Sequence, residues 1–456
     1  NYNFVENLFR FILVKENSFI FESVEKGVIR GRYTIIGYDP DKIYNIKKNK
    51  IFVNNLKKTT VVKKNVLSFL NQLIENFKVS IPASLPRMSS MLVGYFSYDI
   101  IRLIEKIPNN CKDDIDIPDI RLTRPKKLII YDNVKKKIFF IQNIFGDQKI
   151  LNYQTEYQKI QNEFKELLNF GKIRLPNNFH KIRKQNKIKS NITQSSFKNI
   201  VLKGKKYIKK GDIFQVVLSQ RFEAKIDKPP LEIYNTLRNI NPSPFMFYFN
   251  YKDFKILGSS PEILVRLVNN EVTIRPIAGT RPRGKNKNQD RKLTSELLND
   301  PKELAEHLML LDLGRNDAGK VSKIGSVNVT EKFKVEKYSH VMHIVSNVTG
   351  KLNKKFSPFE TFLSGFPAGT VSGAPKIRAM EIIDELEKSK RKLYAGGIGY
   401  FTAKQEFDTC IALRTALIKN KKIYVQAGAG IVADSNPKKE YYETVNKAKA
   451  LLKAIN

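Results

Sequence analysis

Four glutamates occupy matching positions at the starts of two predicted helices. The first segment, NDPKELAEHLMLLDLGRND, holds Asp300, Pro301, Glu303 and Glu306, and the second, SNPKKEYYETVNKAKALLKAI, holds Asn436, Pro437, Glu440 and Glu443. A capping Asp or Asn followed by Pro is typical of a helix start, and glutamates three apart share a face. Acidic residues in a first turn also favour the helix dipole, which explains each helix taken alone. The repetition predicts carboxylates that meet around a hard divalent cation, typically Mg²⁺, with water and substrate completing its shell.

The segment RPIAGTRPRG, residues 275–284, is predicted to be a stiff loop that holds an anion. Its three arginines supply positive charge, its prolines restrict the backbone, and Gly279 and Gly284 permit turns that other residues disfavour. The central residue, Ala278, can neither bind nor react.

Two glycine-rich stretches are predicted to bind a carboxylate rather than a nucleotide. GAGIVA (428–433) resembles a dinucleotide fingerprint, but the next helix begins only at Pro437 and no later unit supplies a ribose-binding acid. GTVSGAPK (369–376) has the wrong glycine spacing for a P-loop, and no Ser or Thr follows Lys376. Backbone amides at such turns and at a helix N-terminus suit a carboxylate.

Two further side chains are candidates for the same site. In DTCIALRTALI, Cys410, Ala412, Arg414 and Ala416 would share one face of a strand. Arg414 among small residues either reaches into a pocket and grips a carboxylate with two N–H groups, or lies exposed. For His343 in YSHVMHIV we expect a hydrogen bond or a proton transfer, since no complete zinc-ligand set accompanies it.

The composition indicates an enzyme of a reducing compartment. The 456 residues include two cysteines, too few for a disulfide framework, and no apolar run reaches the ~18 residues of a membrane span. We therefore expect a cytoplasmic protein without membrane contact. The net charge of +37 is spread along the chain without a nucleic-acid-binding motif, so we expect anionic substrates and an acidic partner rather than nucleic acid. Neither a G-x-S-x-G elbow nor a catalytic cysteine context is present, so any nucleophile comes from outside.

The elements that position these residues alternate between strands and helices. GRYTIIGYDP and MLVGYFSYDI predict strands that end in turns, and residues 150–168 predict a helix with Tyr153, Tyr157, Ile160 and Phe164 on one stripe. Helices are predicted over 195–210 and 375–388, and KIYVQAGAGIV predicts a strand. Residues 171–190 contain seven Lys/Arg and no acidic residue, which predicts a solvated linker. The predicted divisions are an N-terminal region 1–170, a basic linker 171–194 and an α/β or α+β domain 195–456.

Taken in order, the motifs resemble those of the chorismate-binding enzyme family. They are GDIFQVVLSQRF, GSSPEILVR, RPIAGTRPRG, ELAEHLMLLDLGRND, YSHVMHIVS, AGTVSGAPKIRAMEIID, YAGGIGYF, DTCIALRTALI and VQAGAGIVADSNPKKEYYET, within residues 195–455. SFIFESVEKGVIRGRYTIIG and NPSPFMFYF narrow the resemblance to the anthranilate synthase component I branch. The resemblance implies an α+β fold in which two β-sheets pack as a sandwich flanked by helices.

The resemblance also implies roles for individual residues. Glu306 and Glu443 would hold Mg²⁺ for the ring carboxylate of chorismate, Glu303 would protonate the departing C4 hydroxyl, and Glu440 would stand behind the metal ligands. His343 and Thr370 would line the ring near the leaving group. The implied chorismate contacts are Gly279, Thr280, Lys376, Tyr394, Arg414 (on the enolpyruvyl carboxylate), Gly428, Ala429 and Gly430.

The implied reaction adds ammonia at C2 of chorismate and ends in anthranilate and pyruvate. Relatives that attack with their own amine carry lysine at the position of Ala278, and isochorismate-forming relatives carry lysine at that of Gln215. Ammonia would come from a glutamine amidotransferase subunit, in a heterotetramer of two of each chain. Tryptophan would inhibit at Glu22, Ser23, Pro244, Phe245 and Met246, although Phe21 departs from the usual Leu. Aminodeoxychorismate synthase component I and a binding protein on a decayed enzyme scaffold are the alternatives.

Overall fold

The computed structural model describes residues 2–23, 31–55, 58–146, 152–172, 187–338 and 341–455. The helices are α1 Tyr2–Leu13, α2 Val66–Glu75, α3 Tyr153–Lys172, α4 Gln194–Lys209, α5 Pro230–Ile240, α6 Lys287–Leu298, α7 Pro301–Gly319, α8 Pro358–Ser364, α9 Gly369–Ser372, α10 Lys376–Leu386 and α11 Pro437–Lys453, with a 3₁₀ helix at Tyr98–Leu103. The strands are β1 Ser18–Glu22, β2 Tyr33–Lys47, β3 Lys50–Asn54, β4 Thr59–Val62, β5 Met91–Phe96, β6 Ile120–Asp132, β7 Lys137–Gln142, β8 Lys189–Ser190, β9 Gln215–Lys225, β10 Phe245–Asn250, β11 Lys255–Ser260, β12 Ile263–Val268, β13 Glu271–Ile274, β14 Ile277–Pro282, β15 Asn328–Lys337, β16 Val341–Lys351, β17 Gly373–Ala374, β18 Gly397–Thr402, β19 Phe407–Ile411, β20 Thr415–Lys419 and β21 Lys422–Ile431.

The antiparallel strands form two sheets that share β2 and β6. The first sheet runs β9–β21–β20–β11–β10–β1, then through the beginning of β2 to the end of β6 and β7. The second runs β4–β3–end of β2–beginning of β6–β5–β18–β19–β12–β13–β16, and β14 and β15 also pair with β16. The pairing of the shared strands shifts register after Pro40, next to Asp39 at φ 53°. The turn predicted at the end of GRYTIIGYDP is therefore a bend within the long strand β2.

The two sheets pack face to face around a shared apolar layer. Phe19, Phe247 and Leu417 of the first sheet belong to the same buried cluster as Ile398 and Cys410 of the second. Helices α1, α5 and α11 pack on the outer face of the first sheet, and α2 and α8 pack on the second. Apolar burial on both faces of each sheet stabilises this order of layers. The predicted α+β sandwich flanked by helices is confirmed.

Both sheets draw strands from both ends of the sequence. Strand β1 pairs with β10, and β5 pairs with β18. The regions 1–170 and 195–456 therefore build the sheets jointly. Of the predicted basic linker, residues 173–186 lie outside the described residues.

Two local predictions need correction. Residues 150–168 do contribute to a helix, α3, but its predicted apolar stripe is only partly packed, because Tyr153 and Tyr157 are 71% and 62% exposed. Phe164 stacks on Phe140 with ring centroids 5.1 Å apart. DTCIALRTALI forms β19 and β20 rather than one strand, and the chain passes from the second sheet to the first between them.

Candidate active site

The two predicted helix starts are capped as the sequence indicates. Asp300 Oδ1 accepts hydrogen bonds from the backbone N–H groups of Lys302 and Glu303 at 3.0 and 3.3 Å. Asn436 Oδ1 accepts from those of Lys438 and Lys439 at 3.0 and 3.1 Å. Each cap fixes the first turn of its helix, from which the glutamates project.

The glutamates of α7 and α11 converge on one region. Burial raises the pKa of Glu306, and the nearby carboxylates of Glu303 and Glu443 raise it further. Burial also raises the pKa of Glu440, and the carboxylate of Glu443 raises it further. The two helix N-termini thus bring like charges together, an arrangement that a cation would stabilise.

The donor set fits a hard cation that keeps part of its water shell. Glu306 accepts a hydrogen bond from Gln215 Nε2 at 3.0 Å, and Glu443 lies 2.8 Å from Lys447 Nζ. Among the residues the structure describes, no three Asp, Glu, His or Cys side chains form a complete metal-binding group. Mg²⁺ commonly binds through one or two carboxylates and completes its shell with water and substrate. Glu306 and Glu443 suit that mode.

The segment RPIAGTRPRG is mostly a strand, so its prediction as a loop is wrong. Residues 277–282 form β14 and pair with β16, with a register shift between Ala278 and Thr280. Gly279 makes this bulge at φ 68°, and a Cβ there would lie 3.1 Å from Glu303 Oε2. Glycine therefore permits both the bulge and the close approach of Glu303.

The three arginines of this segment bind carboxylates of the chain itself. The ion pairs are Arg275 with Glu331 and Glu336 at 3.1 and 2.6 Å, Arg281 with Asp300 and Glu303 at 2.7 and 2.8 Å, and Arg283 with Asp290 at 2.6 Å. The positive charge that predicted an external anion is compensated internally. The segment can instead offer its backbone and the Thr280 hydroxyl to a ligand.

The His343 imidazole is neutral, and its hydrogen bonds determine which ring nitrogen carries the proton. Burial lowers its pKa to about 4. Its Nδ1 lies 3.1 Å from the carbonyl oxygen of Gly279 and 3.0 Å from Thr280 Oγ1. Because a carbonyl only accepts, Nδ1 carries the proton, which leaves Nε2 as an acceptor.

Arg414 lies at the corner between β19 and β20. Its backbone has φ 47°, rare for a non-glycine residue, and its side chain is half-buried. Burial lowers its pKa. The half-burial of the side chain argues against the alternative of a plain exposed charge. No hydrogen bond or ion pair to its guanidinium is found among the described residues. A half-buried guanidinium without a partner in the described part of the chain suits a carboxylate ligand.

Glycines of β21 allow other side chains to lie over the strand. A Cβ at Gly428 would be 2.6 Å from Tyr394 Oη, and one at Gly430 would be 2.4 Å from Gln215 Nε2 and 3.8 Å from Glu306 Oε1. Burial raises the pKa of Tyr394 to about 12. The side chain of Ala429 points to the other face, into an apolar cluster with α4 and α10, so only its backbone can contact a ligand.

Lys376 has a structural partner. Its Nζ lies 2.7 Å from Asp317 Oδ2, and burial lowers its pKa. Asp317 lies near the C-terminal end of α7, so this contact does not connect Lys376 with Glu303 and Glu306 at the start of that helix, or with Glu443 of α11. Its predicted contact with the substrate stays a prediction without support from its surroundings.

Sequence reasoning missed two side chains of this region. Glu262 is 5% exposed, and burial raises its pKa to about 8, although the nearby Thr370 side chain and Ile277 amide favour the ionised form. Lys447 lies one turn after Glu443 on α11 and donates to the carbonyl oxygen of Gly428 at 3.1 Å. A lone acid after SSP in an apolar strand, and the i,i+4 spacing from Glu443, were the available signals.

A second cluster gathers all the residues predicted to bind an inhibitor. Glu22, Ser23, Pro244, Phe245 and Met246 line one cavity of ≈ 800 Å³ between β1, β10 and neighbouring strands. Phe21 also lines it, and its ring meets that of Tyr400 edge-on, with centroids 5.8 Å apart. Glu22 accepts from Tyr234 Oη at 2.6 Å and pairs with Arg238 at 2.8 Å, so its position is fixed.

Known proteins resemble this chain over nearly its whole length. The family model described as chorismate binding enzyme matches residues 16–453. Anthranilate synthase component 1 of Cereibacter sphaeroides is 46% identical over 451 residues, covering 96% of this chain and 89% of that protein. The protein of the same name from Acetivibrio thermocellus is 46% identical over 442 residues, with 96% and 90% covered.

Solved structures show the same fold. Anthranilate synthase component I from Streptococcus pneumoniae superposes with a TM-score of 0.83 at 37% identity, covering 94% of both chains. The menaquinone-specific isochorismate synthase of Escherichia coli superposes with a TM-score of 0.72 at 19% identity, covering 97% of this chain and 90% of that one. No helix in the described part of the chain has the length and apolar character needed to cross a membrane.

Proposed function

The chain belongs to the chorismate-binding enzyme family, and from that premise we propose that it converts chorismate and ammonia into anthranilate, pyruvate and water. The 46% identity with anthranilate synthase component 1 of Cereibacter sphaeroides over 96% of the chain carries this proposal. The neutral residues Gln215 and Ala278, at the positions where relatives with other products carry lysine, support it.

The reaction has two stages. The nitrogen lone pair of ammonia forms a bond to C2, the ring double bonds shift, and the C4–O bond breaks as the hydroxyl receives a proton and leaves as water. The C2 proton is then lost and the C3–O bond breaks, which leaves the ring aromatic. The released enolpyruvate takes up a proton at its methylene carbon and becomes pyruvate.

Glu306 and Glu443 would hold Mg²⁺ at the converging helix starts. When bound, Mg²⁺ supplies positive charge beside the ring carboxylate of chorismate. Gln215 fixes Glu306 through its 3.0 Å hydrogen bond, and Glu440 lies behind the ligands as a further buried carboxyl. The Lys447 ammonium, held by Glu443 and the carbonyl of Gly428, adds a second positive group for the same substrate end.

Other residues would orient the substrate. Arg414 would bind the enolpyruvyl carboxylate with two N–H groups, since its guanidinium is half-buried at the sheet corner. Gly279, Thr280, Gly428 and Gly430 would contribute backbone groups. Tyr394 and His343 would contribute the phenol and the accepting Nε2, which face a ligand bound over β21 and β14.

The proton for the C4 hydroxyl has two candidate donors, Glu303 and Glu262. A general acid must carry a proton before it can give one. Glu262, with a pKa of about 8, carries it at neutral pH, and Thr370 lies beside it. Glu303 is ion-paired with Arg281 at 2.8 Å. We therefore favour Glu262 as the donor and Glu303 as a charge that positions Arg281 and the bulge at Gly279.

The nucleophile must be free ammonia. Ala278 offers no amine, and the Gln215 amide is not a base at neutral pH. The Lys447 amine is already engaged with Glu443 at 2.8 Å and with the carbonyl oxygen of Gly428 at 3.1 Å.

A separate glutamine amidotransferase subunit would supply the ammonia, in a heterotetramer of two of each chain. Glutamine hydrolysis by such enzymes needs an activated nucleophile. Burial and nearby acidic groups raise the pKa of Cys111 to about 12, and burial also raises that of Cys410, so neither thiol is activated. We place the reaction in the cytoplasm, where thiols stay reduced.

Tryptophan would inhibit from the cavity that Ser23 and Met246 line. The cavity combines aromatic walls, including Phe21 and Phe245, with polar groups of Ser23 and Arg32. Such a mixture suits an aromatic amino acid, which is apolar at one end and zwitterionic at the other. Because β1 and β10 both belong to the first sheet, a ligand there can act on the sheet that carries β9 and β21.

One assay tests the proposed function. The purified chain is mixed with chorismate, Mg²⁺ and an ammonium salt, and anthranilate is followed by its fluorescence. We expect anthranilate as the main product. Recovery of 4-amino-4-deoxychorismate as the main product would refute the assignment in favour of aminodeoxychorismate synthase.

A further inference from the structure

A small cavity, the Gln426 cavity, lies beside Tyr394 on the face of the first sheet that carries Gly428. Its volume is ≈ 20 Å³, enough for one water-sized molecule, and Arg221, Arg391, Tyr394, Thr415 and Gln426 line it together with apolar and aromatic side chains. Gln426 and Gly428 are two residues apart on β21, so they project to the same face. The cavity therefore adjoins the place where we put the substrate.

The Gln426 carbonyl is fixed as an acceptor without a partner. Its Nε2 donates to Ser219 Oγ at 2.8 Å. The Ser219 hydroxyl gives its single proton to Glu387 Oε1 at 2.7 Å, so towards Gln426 it can only accept. This excludes the flipped amide, and Gln426 Oε1 is then buried without a hydrogen-bond partner in the described structure. Such a group indicates a small donor that the cavity can hold.

Thr415 supplies a second accepting oxygen. Its hydroxyl donates to the carbonyl of Leu413 at 2.9 Å, which leaves the oxygen lone pairs available. Two accepting oxygens suit a molecule with several N–H or O–H groups.

The charges of the lining select a neutral molecule. Arg221 and Arg391 are cationic, and no carboxylate is among the residues that line the cavity. Both Glu387 oxygens already accept hydrogen bonds from Arg391, at 2.6 and 2.9 Å. Arg221 is likewise paired with Asp114, so neither nearby carboxylate is left to offset an added positive charge. The two guanidinium groups would repel an ammonium ion, but they would not repel uncharged ammonia.

We propose that the Gln426 cavity binds neutral ammonia next to Tyr394, and that ammonia attacks the ring of the substrate from this site. The assignment rests on the proposed function, because only an ammonia-using reaction needs such a site. Holding the free base there supplies the species that has a lone pair, while Gln426 Oε1 and Thr415 Oγ1 accept its N–H groups.

The test separates the two substrates kinetically. Wild type, Gln426→Leu and the near-isosteric Gln426→Met are assayed with ammonium varied at saturating chorismate, and then with chorismate varied at saturating ammonium. We expect the KM for ammonium to rise about 3- to 10-fold in both variants, as for loss of one neutral hydrogen bond. The KM for chorismate should change by less than about twofold, because the substrate contacts remain.

Gln220→Leu is the matched control. Gln220 is a buried glutamine of the neighbouring strand β9, and its amide bonds to Thr444 and Ser190 at 2.6 and 2.7 Å, away from the cavity. This variant should lose stability without a selective change in the KM for ammonium. Thermal melting of all variants shows whether each is folded.

The outcomes distinguish the two proposals. An unchanged KM for ammonium in folded Gln426→Leu or Gln426→Met, or equal increases in both KM values, would overturn the ammonia site and leave only a water-filled cavity. A wild-type chain that makes no anthranilate from chorismate and ammonium would instead refute the proposed function.

Discussion

Replacing Glu262 by Gln should separate stability from activity. Gln has the shape of Glu, and its amide oxygen can still face the Thr370 side chain and the Ile277 amide, the two groups that favour a negative charge on the carboxyl. It cannot give up a proton at neutral pH. The substitution therefore removes the proton donor and leaves the packing of this buried position intact.

The expected loss of activity is large. General acid catalysis contributes about 10²- to 10⁴-fold to a rate, and departure of the C4 hydroxyl depends on it. We expect kcat of Glu262→Gln to fall by about that factor with little change in the KM for chorismate. In wild type, with ammonia kept at constant free-base concentration, the rate should fall as the pH rises through about 8, because the protonated acid is lost.

The expected change in stability has the opposite sign. Folding holds a proton on a group whose ordinary pKa is 4.5, so the folded protein binds more protons than the unfolded chain between pH 4.5 and about 8. Wild-type stability contributed by this group is therefore greatest below pH 4.5 and is lost as the pH rises through about 8. At pH 7 the cost is about 3 to 4 kcal/mol, since pH 7 lies 2.5 units above 4.5 and each unit is worth about 1.4 kcal/mol. Glu262→Gln escapes this cost and should melt higher than wild type at pH 7.

The assays are anthranilate fluorescence and urea unfolding at pH 5 and pH 8. Glu303→Gln is the comparison, since it breaks the ion pair with Arg281 and should lower stability where Glu262→Gln raises it. The stability gain of Glu262→Gln should be larger at pH 8 than at pH 5. An active Glu262→Gln beside an inactive but folded Glu303→Gln would refute our reasoning and assign the proton to Glu303.

The remaining predictions concern the metal, the partner, the inhibitor and the nucleophile. Glu306→Gln or Glu443→Gln should remove most of the Mg²⁺-dependent activity while the protein stays folded, and full wild-type activity in EDTA would contradict the metal assignment. The chain alone should turn over ammonium but not glutamine, and glutamine-dependent anthranilate formation by the single chain would exclude the partner hypothesis. Tryptophan should inhibit wild type, and Ser23→Arg or Met246→Thr should relieve the inhibition; indifference of wild type to millimolar tryptophan would show that the cavity has another role. Gln215→Lys should divert part of the chorismate to isochorismate by supplying a base for water, which product chromatography detects.

The parts of the site that depend on local chemistry could be predicted from the sequence. Helix caps are encoded within four residues, so the starts of α7 and α11 and the glutamates they carry were predictable. The spacing of those glutamates also indicated a shared face. Their convergence on one region became visible only in the folded chain, where α7 packs on β14 and β16 and α11 packs on β21.

Features set by distant strands were not predictable. RPIAGTRPRG looks like a loop because Gly and Pro dominate it, yet pairing with β16 turns it into an edge strand with a bulge at Gly279. Its arginines looked like an anion site because their partners, among them Glu331 and Asp290, lie elsewhere in sequence. The two-sheet division likewise depends on pairings of β2 and β6 over long separations, which periodicity does not encode.

The buried acid and the positive-φ arginine mark where local preference yields to function. Glu262 is held uncharged in an apolar environment, and Arg414 keeps a backbone conformation that a non-glycine residue rarely adopts. Each costs stability in isolation, and the surrounding sandwich can bear such costs because it buries a continuous apolar layer between its sheets. Glu262 is the residue that we propose as the proton donor, and Arg414 is the residue that the resemblance places on a carboxylate of the substrate. A stabilising substitution at either position should therefore reduce activity. That coupling explains why propensity and periodicity fail first at the residues on which the chemistry depends.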